Sequence, residues 1–224
     1  FMDIKKVVVI GSGTMGSGIA AQVANAGIPV FLLDLPSSEG TRNKIVENAK
    51  ERIANSRPPL LVEKSKIDLI HVGNIEDNFN LVGEADWVVE AVVERIDIKH
   101  SIYKKIEDIR KPDSVISSNT STIPLKVLSE NMSDEMKQNF CITHFFNPVR
   151  YMGLLEIVTE PINDKEKINL LKSFCDEKLG KGVIICKDTP GFLGNRVGVY
   201  AMQVAMTEAF KMGLTIEEAD AVFG

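Results

Sequence analysis

The sequence predicts a doubly wound α/β fold with a mostly parallel sheet, followed by the start of an all-helical region. Short runs of β-branched and apolar residues recur along most of the chain, and helical patterns separate them. Runs that are apolar at every position are typical of strands covered by helices on both faces. Beyond position 187 only helical patterns remain. We therefore predict one domain over residues 2–187 and the beginning of a helical domain, truncated in this sequence, over residues 188–224.

The first predicted strand, Lys6 to Ile10, runs directly into a glycine-rich turn, and a helical pattern from Ser17 to Ala26 follows. In such a G-x-G-x-x-G turn the first glycine permits the tight bend and the second lets a pyrophosphate approach the backbone. The third lets the helix pack closely against the strand, and amides at the helix N-terminus bind the phosphates. The strand–turn–helix context predicts a Rossmann-type dinucleotide site, built from Gly11, Gly13, Thr14, Met15 and Gly16.

The second predicted strand, Val30 to Leu33, is followed directly by Asp34. An acidic side chain about 20 residues beyond the glycine turn can accept hydrogen bonds from the hydroxyls of the adenosine ribose. The same carboxylate would repel a 2′-phosphate, so the position favours NAD over NADP as the cofactor. The alternative is a capping or turn aspartate, which would not explain its place at the end of this strand.

The simple alternation of strands and helices is interrupted after the second strand. Residues 41–55 read as a charged helix, and Arg57-Pro58-Pro59 ends it before the next predicted strand, Asp68 to Val72. An excursion of this kind could carry substrate contacts. Two further strands are predicted from Trp87 to Val93 and from Ser114 to Ser118.

Two polar residues lie in the next pair of predicted strands, Phe140 to His144 and Leu154 to Val158. His144 ends its strand, and the ends of strands are where open α/β sheets bind ligands. Glu156 lies among aliphatic residues, where an ionised side chain is costly unless it is paired. A histidine paired with a carboxylate is a typical general base. The alternatives are a core histidine without a catalytic role and a glutamate exposed at a sheet edge.

A last strand is predicted from Val183 to Ile185, and Asp188-Thr189-Pro190 has the pattern of a helix start. From Phe192 to Phe210 apolar residues occur on nearly every face, which is typical of a helix buried among other helices. The sequence after this helix is too short to cover it. We therefore expect its partner surface to come from further helices or from another chain.

Composition excludes several classes of protein. The 224 residues are 44% hydrophobic and 25% charged, as in globular domains, and the net charge of −5 with no basic cluster disfavours nucleic-acid binding. Apolar runs are far shorter than the roughly 20 residues that a bilayer requires, and no signal pattern is present, so we expect a cytoplasmic protein without membrane contact. The scattered Cys141, Cys175 and Cys186 predict neither disulfides nor a metal site.

Five segments, in this order, resemble the 3-hydroxyacyl-CoA dehydrogenase family. The first is the glycine loop with its continuation Gly18-Ile19-Ala20. The others are Val89-Glu90-Ala91-Val92-Val93-Glu94, Ser118-Asn119-Thr120-Ser121, His144-Phe145-Phe146-Asn147-Pro148 and Lys187-Asp188-Thr189-Pro190-Gly191-Phe192. The excursion with Arg57-Pro58-Pro59 is more similar to the dehydrogenase part of longer, multidomain members of the family than to short members. The resemblance therefore implies a fragment of a longer protein.

The resemblance implies a role for each matching residue. His144 would be the general base and Glu156 its partner, while Ser121 and Asn195 would hydrogen-bond the reacting oxygen of the substrate. Asn147 would lie beside the nicotinamide, and the cofactor would also be held by Glu94, Lys99 and Asn119. Each has a plain structural alternative, such as a turn residue, a polar point on a buried helix or a solvated charge pair.

The implied activity is NAD-dependent oxidation of (S)-3-hydroxyacyl-CoA to 3-oxoacyl-CoA in fatty-acid β-oxidation, with an acyl-CoA partner and association into a homo-oligomer or through the helical domain. Basic residues of the excursion are candidates for the CoA phosphates by charge alone: Arg42, Lys44, Lys50 and Arg52. A β-hydroxyacid dehydrogenase with a non-CoA substrate and a lysine base is an alternative, although the helix from Gly191 offers no lysine before Lys211. A structural relative that binds NAD without turnover is the other alternative.

Overall fold

The fold was determined as a computed structural model that describes residues 3–223, so Met2 and Gly224, the outer ends of the two predicted domains, lie outside it. Within the described residues the chain forms eight strands and eight α-helices. The strands are β1 (Val7–Ile10), β2 (Val30–Asp34), β3 (Ile70–Asn74), β4 (Trp87–Glu90), β5 (Val115–Ser118), β6 (Phe140–Phe145), β7 (Leu154–Thr159) and β8 (Gly182–Lys187). The helices are α1 (Thr14–Asn25), α2 (Lys44–Asn55), α3 (Ile96–Ile109), α4 (Leu125–Leu128), α5 (Asp134–Gln138), α6 (Lys165–Glu177), α7 (Gly194–Met212) and α8 (Ile216–Phe223).

The strands form a single sheet in the order β3-β2-β1-β4-β5-β6-β7-β8. Neighbouring strands run parallel except β6 and β7, which are antiparallel. The chain reverses its direction of winding between β1 and β4, and this switch point leaves a crevice at the carboxyl ends of the two strands, where open α/β sheets bind ligands. The predicted doubly wound, mostly parallel fold is confirmed.

Helices cover both faces of the sheet, which explains the continuously apolar strands. One core cluster joins the sheet to α1, α2 and α6, and the other joins it to α3, α4 and α5. The four residues of β1 are each at most 1% exposed, because β1 lies in the interior of the sheet. Burying such a strand on both faces contributes roughly 1.5–3 kcal/mol for each large aliphatic side chain. The three cysteines are free thiols in these buried layers.

Several predicted element ends differ from the structure, because tertiary contacts decide them. β3 begins at Ile70 rather than Asp68, since Lys64–Leu69 forms a 3₁₀ helix. β4 ends at Glu90 rather than Val93. The Glu90 carboxylate accepts a hydrogen bond from the Val92 amide, and this contact turns the chain away from the sheet.

The predicted helix start at Asp188-Thr189-Pro190 is wrong. Helix α7 begins at Gly194, because Gly191 and Phe192 adopt left-handed backbone angles, with φ of 75° and 47°, that no right-handed helix accommodates. No residue of α7 or α8 is buried by the part of the chain that the structure describes, and Tyr200 and Phe210 are 73% and 83% exposed. None of the helices within residues 3–223 combines the length and apolarity needed to span a bilayer.

Candidate active site

The glycine loop between β1 and α1 forms a cradle that side chains could not occupy. A Cβ on Gly11 would lie 2.4 Å from the Ala91 carbonyl oxygen, and one on Gly16 would lie 1.8 Å from the Gly11 carbonyl oxygen. A Cβ on Gly13 would meet nothing within 4 Å, so the space beside this glycine is open. Thr14 and Met15 follow in the first turn of α1, with Thr14 exposed and Met15 half-buried against the core. The loop thus exposes backbone at a helix N-terminus, as a pyrophosphate requires.

Asp34 ends β2 beside this loop and already binds it. Its Oδ2 accepts hydrogen bonds from the amide and the hydroxyl of Ser12, both at 2.6 Å. Asp34 and the loop line a cavity of about 620 Å³, whose other side is largely apolar and includes Leu35, Ile75 and Val92. A carboxylate at the mouth of an apolar cavity fits the ribose and base of an adenosine, so the cradle and cavity together fit a dinucleotide.

A buried ionic network lies behind the cradle, centred on Glu90, which sequence reasoning missed. The Lys99 ammonium lies 2.7 Å from Glu90 and 3.2 Å from Glu94, and its side chain is 1% exposed. Tyr103 and Ser118 also donate hydrogen bonds to Glu90. The predicted cofactor residue Lys99 therefore contacts carboxylates and lies beneath Glu94. Glu90 could have been found by the reasoning applied to Glu156, since it is also a carboxylate in an apolar strand.

Glu94 lies at the surface above Lys99 and accepts hydrogen bonds from the hydroxyls of Thr120 and Thr122. Partial burial acts to raise the pKa of Glu94. The hydrogen bond from Thr120 and the positive charge of Lys99 outweigh that effect and hold the pKa below its usual value. Glu94 is therefore an anion near neutral pH.

The polar residues predicted to contact the cofactor or the reacting oxygen, Asn119, Ser121 and Asn147, lie in the loops that follow β5 and β6. The Asn119 amide donates to the Glu90 carbonyl oxygen, and its side-chain oxygen accepts from the Phe145 amide, at 2.8 and 3.0 Å. Asn119 thus links the carboxyl ends of the three parallel strands β4, β5 and β6. Ser121 is half-buried in the loop after β5, and Asn147 follows β6 by two residues.

His144 and Glu156 face each other across the antiparallel pair β6 and β7. The His144 Nδ1 and Glu156 Oε2 atoms are 2.6 Å apart, and the two residues are 5% and 0% exposed. Because an ionised carboxylate can only accept, Nδ1 carries the proton in this contact and Nε2 keeps its lone pair. The contact therefore selects the imidazole tautomer that can act as a base at Nε2.

Two aromatic rings and the turn before α7 surround this dyad. Phe146 and Phe192 pack against the imidazole, with ring centroids 4.5 and 5.4 Å away. Glu156 Oε1 accepts from the amides of Leu193 and Gly194, at 2.9 and 2.6 Å. The predicted substrate residue Asn195 follows directly, half-buried in the first turn of α7. Sequence reasoning missed these amides, because backbone donors leave no mark in residue types.

Cys186 lies on the other side of Glu156, with its sulfur 3.8 Å from Oε1. Burial and the neighbouring carboxylate raise the pKa of the Cys186 thiol to about 11, so it remains protonated near neutral pH. In the part of the chain from Asp3 to Phe223, no three His, Cys, Asp or Glu side chains are grouped as a metal site would require.

Basic residues of the excursion mostly bind the protein itself. Arg42 pairs with Glu76 and Asp77, and these hydrogen bonds raise the pKa of the Arg42 guanidinium. Lys50 donates to the carbonyl of Ile70, and Arg52 lies 3.4 Å from the Ser12 carbonyl oxygen in the glycine loop. Arg42, Lys50 and Arg52 are thus already engaged with protein atoms, which weakens their candidacy for CoA phosphates.

The switch-point crevice, the glycine cradle and the acidic end of β2 define a dinucleotide-binding domain of the doubly wound class. The chain belongs to the 3-hydroxyacyl-CoA dehydrogenase family, since residues 6–189 match the family's model of the NAD binding domain. The resemblance drawn from the five sequence segments and the prediction of NAD as the cofactor are both confirmed.

Proteins similar to this chain carry names that are consistent with this family. The chain is 45% identical to a relative in Rickettsia felis that bears the name of a fatty acid oxidation complex trifunctional enzyme, covering 99% of this chain and 31% of that protein. It is 42% identical to a "Probable 3-hydroxyacyl-CoA dehydrogenase" of Deinococcus radiodurans, covering 100% of this chain and 65% of that protein. The crystal structure of (S)-3-hydroxybutyryl-CoA dehydrogenase from Ralstonia eutropha superposes with a TM-score of 0.79 at 29% identity, over 96% of this chain and 75% of that one. The chain thus spans 31% and 65% of the lengths of these two curated relatives.

Proposed function

We propose that this chain supplies the cofactor domain and the catalytic dyad for NAD-dependent oxidation of an (S)-3-hydroxyacyl thioester to the 3-oxoacyl thioester, a step of fatty-acid β-oxidation. The observation that carries the proposal is the 2.6 Å contact between His144 and Glu156 in a sheet that also holds a dinucleotide cradle. A base that takes a hydroxyl proton and a site for a hydride acceptor are the two requirements of alcohol oxidation.

His144 removes the proton of the substrate's 3-hydroxyl through Nε2. The Glu156 carboxylate stabilises the imidazolium that results, because the two groups are buried and the local dielectric is low. Bound NAD supplies the chemistry of hydride acceptance. Ser121 and Asn195 orient the reacting oxygen, and the rings of Phe146 and Phe192 exclude water from the imidazole.

The cofactor is held along the carboxyl edge of β1, β2, β4 and β5. Gly11, Gly13 and Gly16, with the amides of Thr14 and Met15, would hold the pyrophosphate, and Asp34 would hold the adenosine ribose. Glu94 and Asn119 would help to hold the cofactor, and Asn147 would lie beside the nicotinamide. Lys99 would act by orienting Glu94, whose carboxylate is 3.2 Å from the Lys99 ammonium.

The partners belong to the same proposal. Acyl-CoA is the substrate, and the chain associates as a homo-oligomer or through the helical domain that begins after residue 187. A cytoplasmic location stays a prediction. The apolar residues exposed on α7 support association, since patches of this kind mark interaction surfaces.

The experiment is His144→Gln in the full-length protein, with turnover of (S)-3-hydroxybutyryl-CoA followed by the absorbance of NADH. We expect the rate to fall about 10²- to 10⁴-fold, the contribution of a general base, while calorimetry gives an unchanged affinity for NAD. His71→Gln is the matched control, because His71 stacks on Phe31 away from the dyad. Retained turnover in His144→Gln would overturn the base assignment, and equal turnover of free 3-hydroxybutyrate would favour a non-CoA substrate.

A further inference from the structure

The turn between β8 and α7 has an unusual backbone. Gly191 and Phe192 are consecutive residues with left-handed angles, at φ of 75° and 47°, and Phe192 is the single non-glycine residue with positive φ among residues 3–223. A phenylalanine adopts such angles only where its surroundings hold it there. Phe192 is 4% exposed and packs against the His144 ring, so the strain coincides with the proposed active site.

The consequence of this turn is that two successive amides point at one carboxylate oxygen. The Leu193 and Gly194 amides donate to Glu156 Oε1, while Oε2 faces His144 Nδ1. These amides also begin the 19-residue helix α7, whose dipole places partial positive charge at its N-terminus. Glu156 is fully buried, so its charge depends on these donors in place of water.

Gly194 is the residue that allows this approach. A Cβ at position 194 would lie 2.9 Å from the Phe146 ring, 3.3 Å from the Leu154 side chain and 3.5 Å from Glu156 Oε1. The Phe146 ring, which packs against the His144 imidazole, or the start of α7 would have to shift to admit it. Gly198, one turn later on the same helix, has open space where its Cβ would be.

We propose that the turn Gly191–Gly194 is a positioning element of the dyad, which holds the Glu156 carboxylate aimed at His144 through the Leu193 and Gly194 amides. Asn195 follows these amides directly, so the same contact fixes Asn195 relative to His144. The dyad and the first turn of α7 therefore act as one unit, and a displacement of α7 loosens Glu156. The effect of this turn on turnover rests on the proposed function, but its effect on the position of Glu156 does not.

The test compares Gly194→Ala with the matched control Gly198→Ala. A proton shared between an imidazole and a buried carboxylate gives a low-field NMR resonance. The resonance is assigned to the His144–Glu156 contact if it disappears in Glu156→Gln. We expect Gly194→Ala to weaken this resonance or move it upfield and Gly198→Ala to leave it in place. In the full-length protein Gly194→Ala should lower kcat about 100-fold, as a misplacement near 1 Å does, with little change in NAD affinity.

A second test changes Glu156, the acceptor of the two hydrogen bonds, and leaves position 194 unaltered. In Glu156→Gln the backbone amides of Leu193 and Gly194 lose a charged acceptor, so their hydrogen exchange should accelerate and their proton shifts should move upfield. The amide of Gly198 should not respond. This measurement keeps the proposal testable if Gly194→Ala fails to fold.

The outcomes separate the two proposals. A folded Gly194→Ala with an unchanged low-field resonance, or unchanged amide exchange in Glu156→Gln, overturns the positioning role, whatever the wild-type activity. If the wild-type protein oxidises no 3-hydroxyacyl thioester while both NMR responses occur, the positioning role stands and the proposed function fails.

Discussion

Asp34 binds the glycine loop in the structure, and it is also expected to bind the adenosine ribose. Its Oδ2 holds the Ser12 amide and hydroxyl, so the glycine loop is fixed before any cofactor arrives. A preformed loop loses less conformational freedom on binding, which favours affinity. The same carboxylate is expected to receive the ribose hydroxyls, and its negative charge opposes a 2′-phosphate.

We therefore predict that Asp34→Ala weakens NADH binding about 10- to 100-fold, as expected for a lost hydrogen bond to a charged group, and weakens NADPH much less. Binding is measured by the fluorescence of the reduced nicotinamide. Ser12→Ala is the control, because it removes a hydroxyl that fixes the loop and keeps the carboxylate. It should lower both affinities alike, and equal losses in Asp34→Ala would contradict the ribose assignment.

At the scale of elements, helix α3 is anchored to the sheet by charge as well as by apolar packing. Lys99 and Tyr103, one turn apart on α3, both reach Glu90 at the end of β4, and Ser118 of β5 completes the contact. Burial and the nearby Glu90 carboxylate raise the pKa of Tyr103 well above its usual value, so the phenol stays a donor. The anchor sets the position of Glu94 and of the loop that carries Asn119.

Removing one partner of this buried pair leaves an uncompensated charge, which costs about 3–5 kcal/mol. We predict that Lys99→Met destabilises the fold by that amount in urea unfolding, and that adding Glu90→Gln to it costs less than the sum of the single changes. Lys104→Met, on the exposed side of α3, is the control and should stay within about 0.5 kcal/mol. Additive losses in the double variant would mean that the two charges do not stabilise each other.

Elements could be predicted from the sequence where the decisive contacts are local or lie in adjacent strands. The glycine cradle is one continuous segment, and His144 and Glu156 are 12 residues apart in strands that pair directly. The Glu90 network was missed because Lys99 and Tyr103 lie on α3, and their contact with the end of β4 depends on how that helix packs against the sheet. The start of α7 was misplaced because the left-handed Phe192 depends on packing against His144, which residue types do not reveal.

At the scale of the whole molecule, apolar surface is buried in the sheet domain and exposed on α7. The sheet is buried on both faces, whereas α7 exposes a row of large apolar side chains and lacks any buried residue among those described. Its exposed members include Val199, Tyr200, Met202, Met206 and Phe210. An apolar stripe of this length on one helix is unusual for a lone globular chain, and it is typical of an interface.

We predict that this stripe makes the chain associate with a second copy, so that light scattering after gel filtration gives a mass that rises with concentration. Met202→Lys with Met206→Lys places two charges in the centre of the stripe and should return the chain to a monomer. Val62→Lys alters an equally exposed apolar residue on the sheet domain and should change nothing. Because association stabilises the folded state by mass action, the melting temperature of the wild type should also rise with concentration, and that of the double variant should not. A wild-type chain that stays monomeric at every concentration would contradict this prediction.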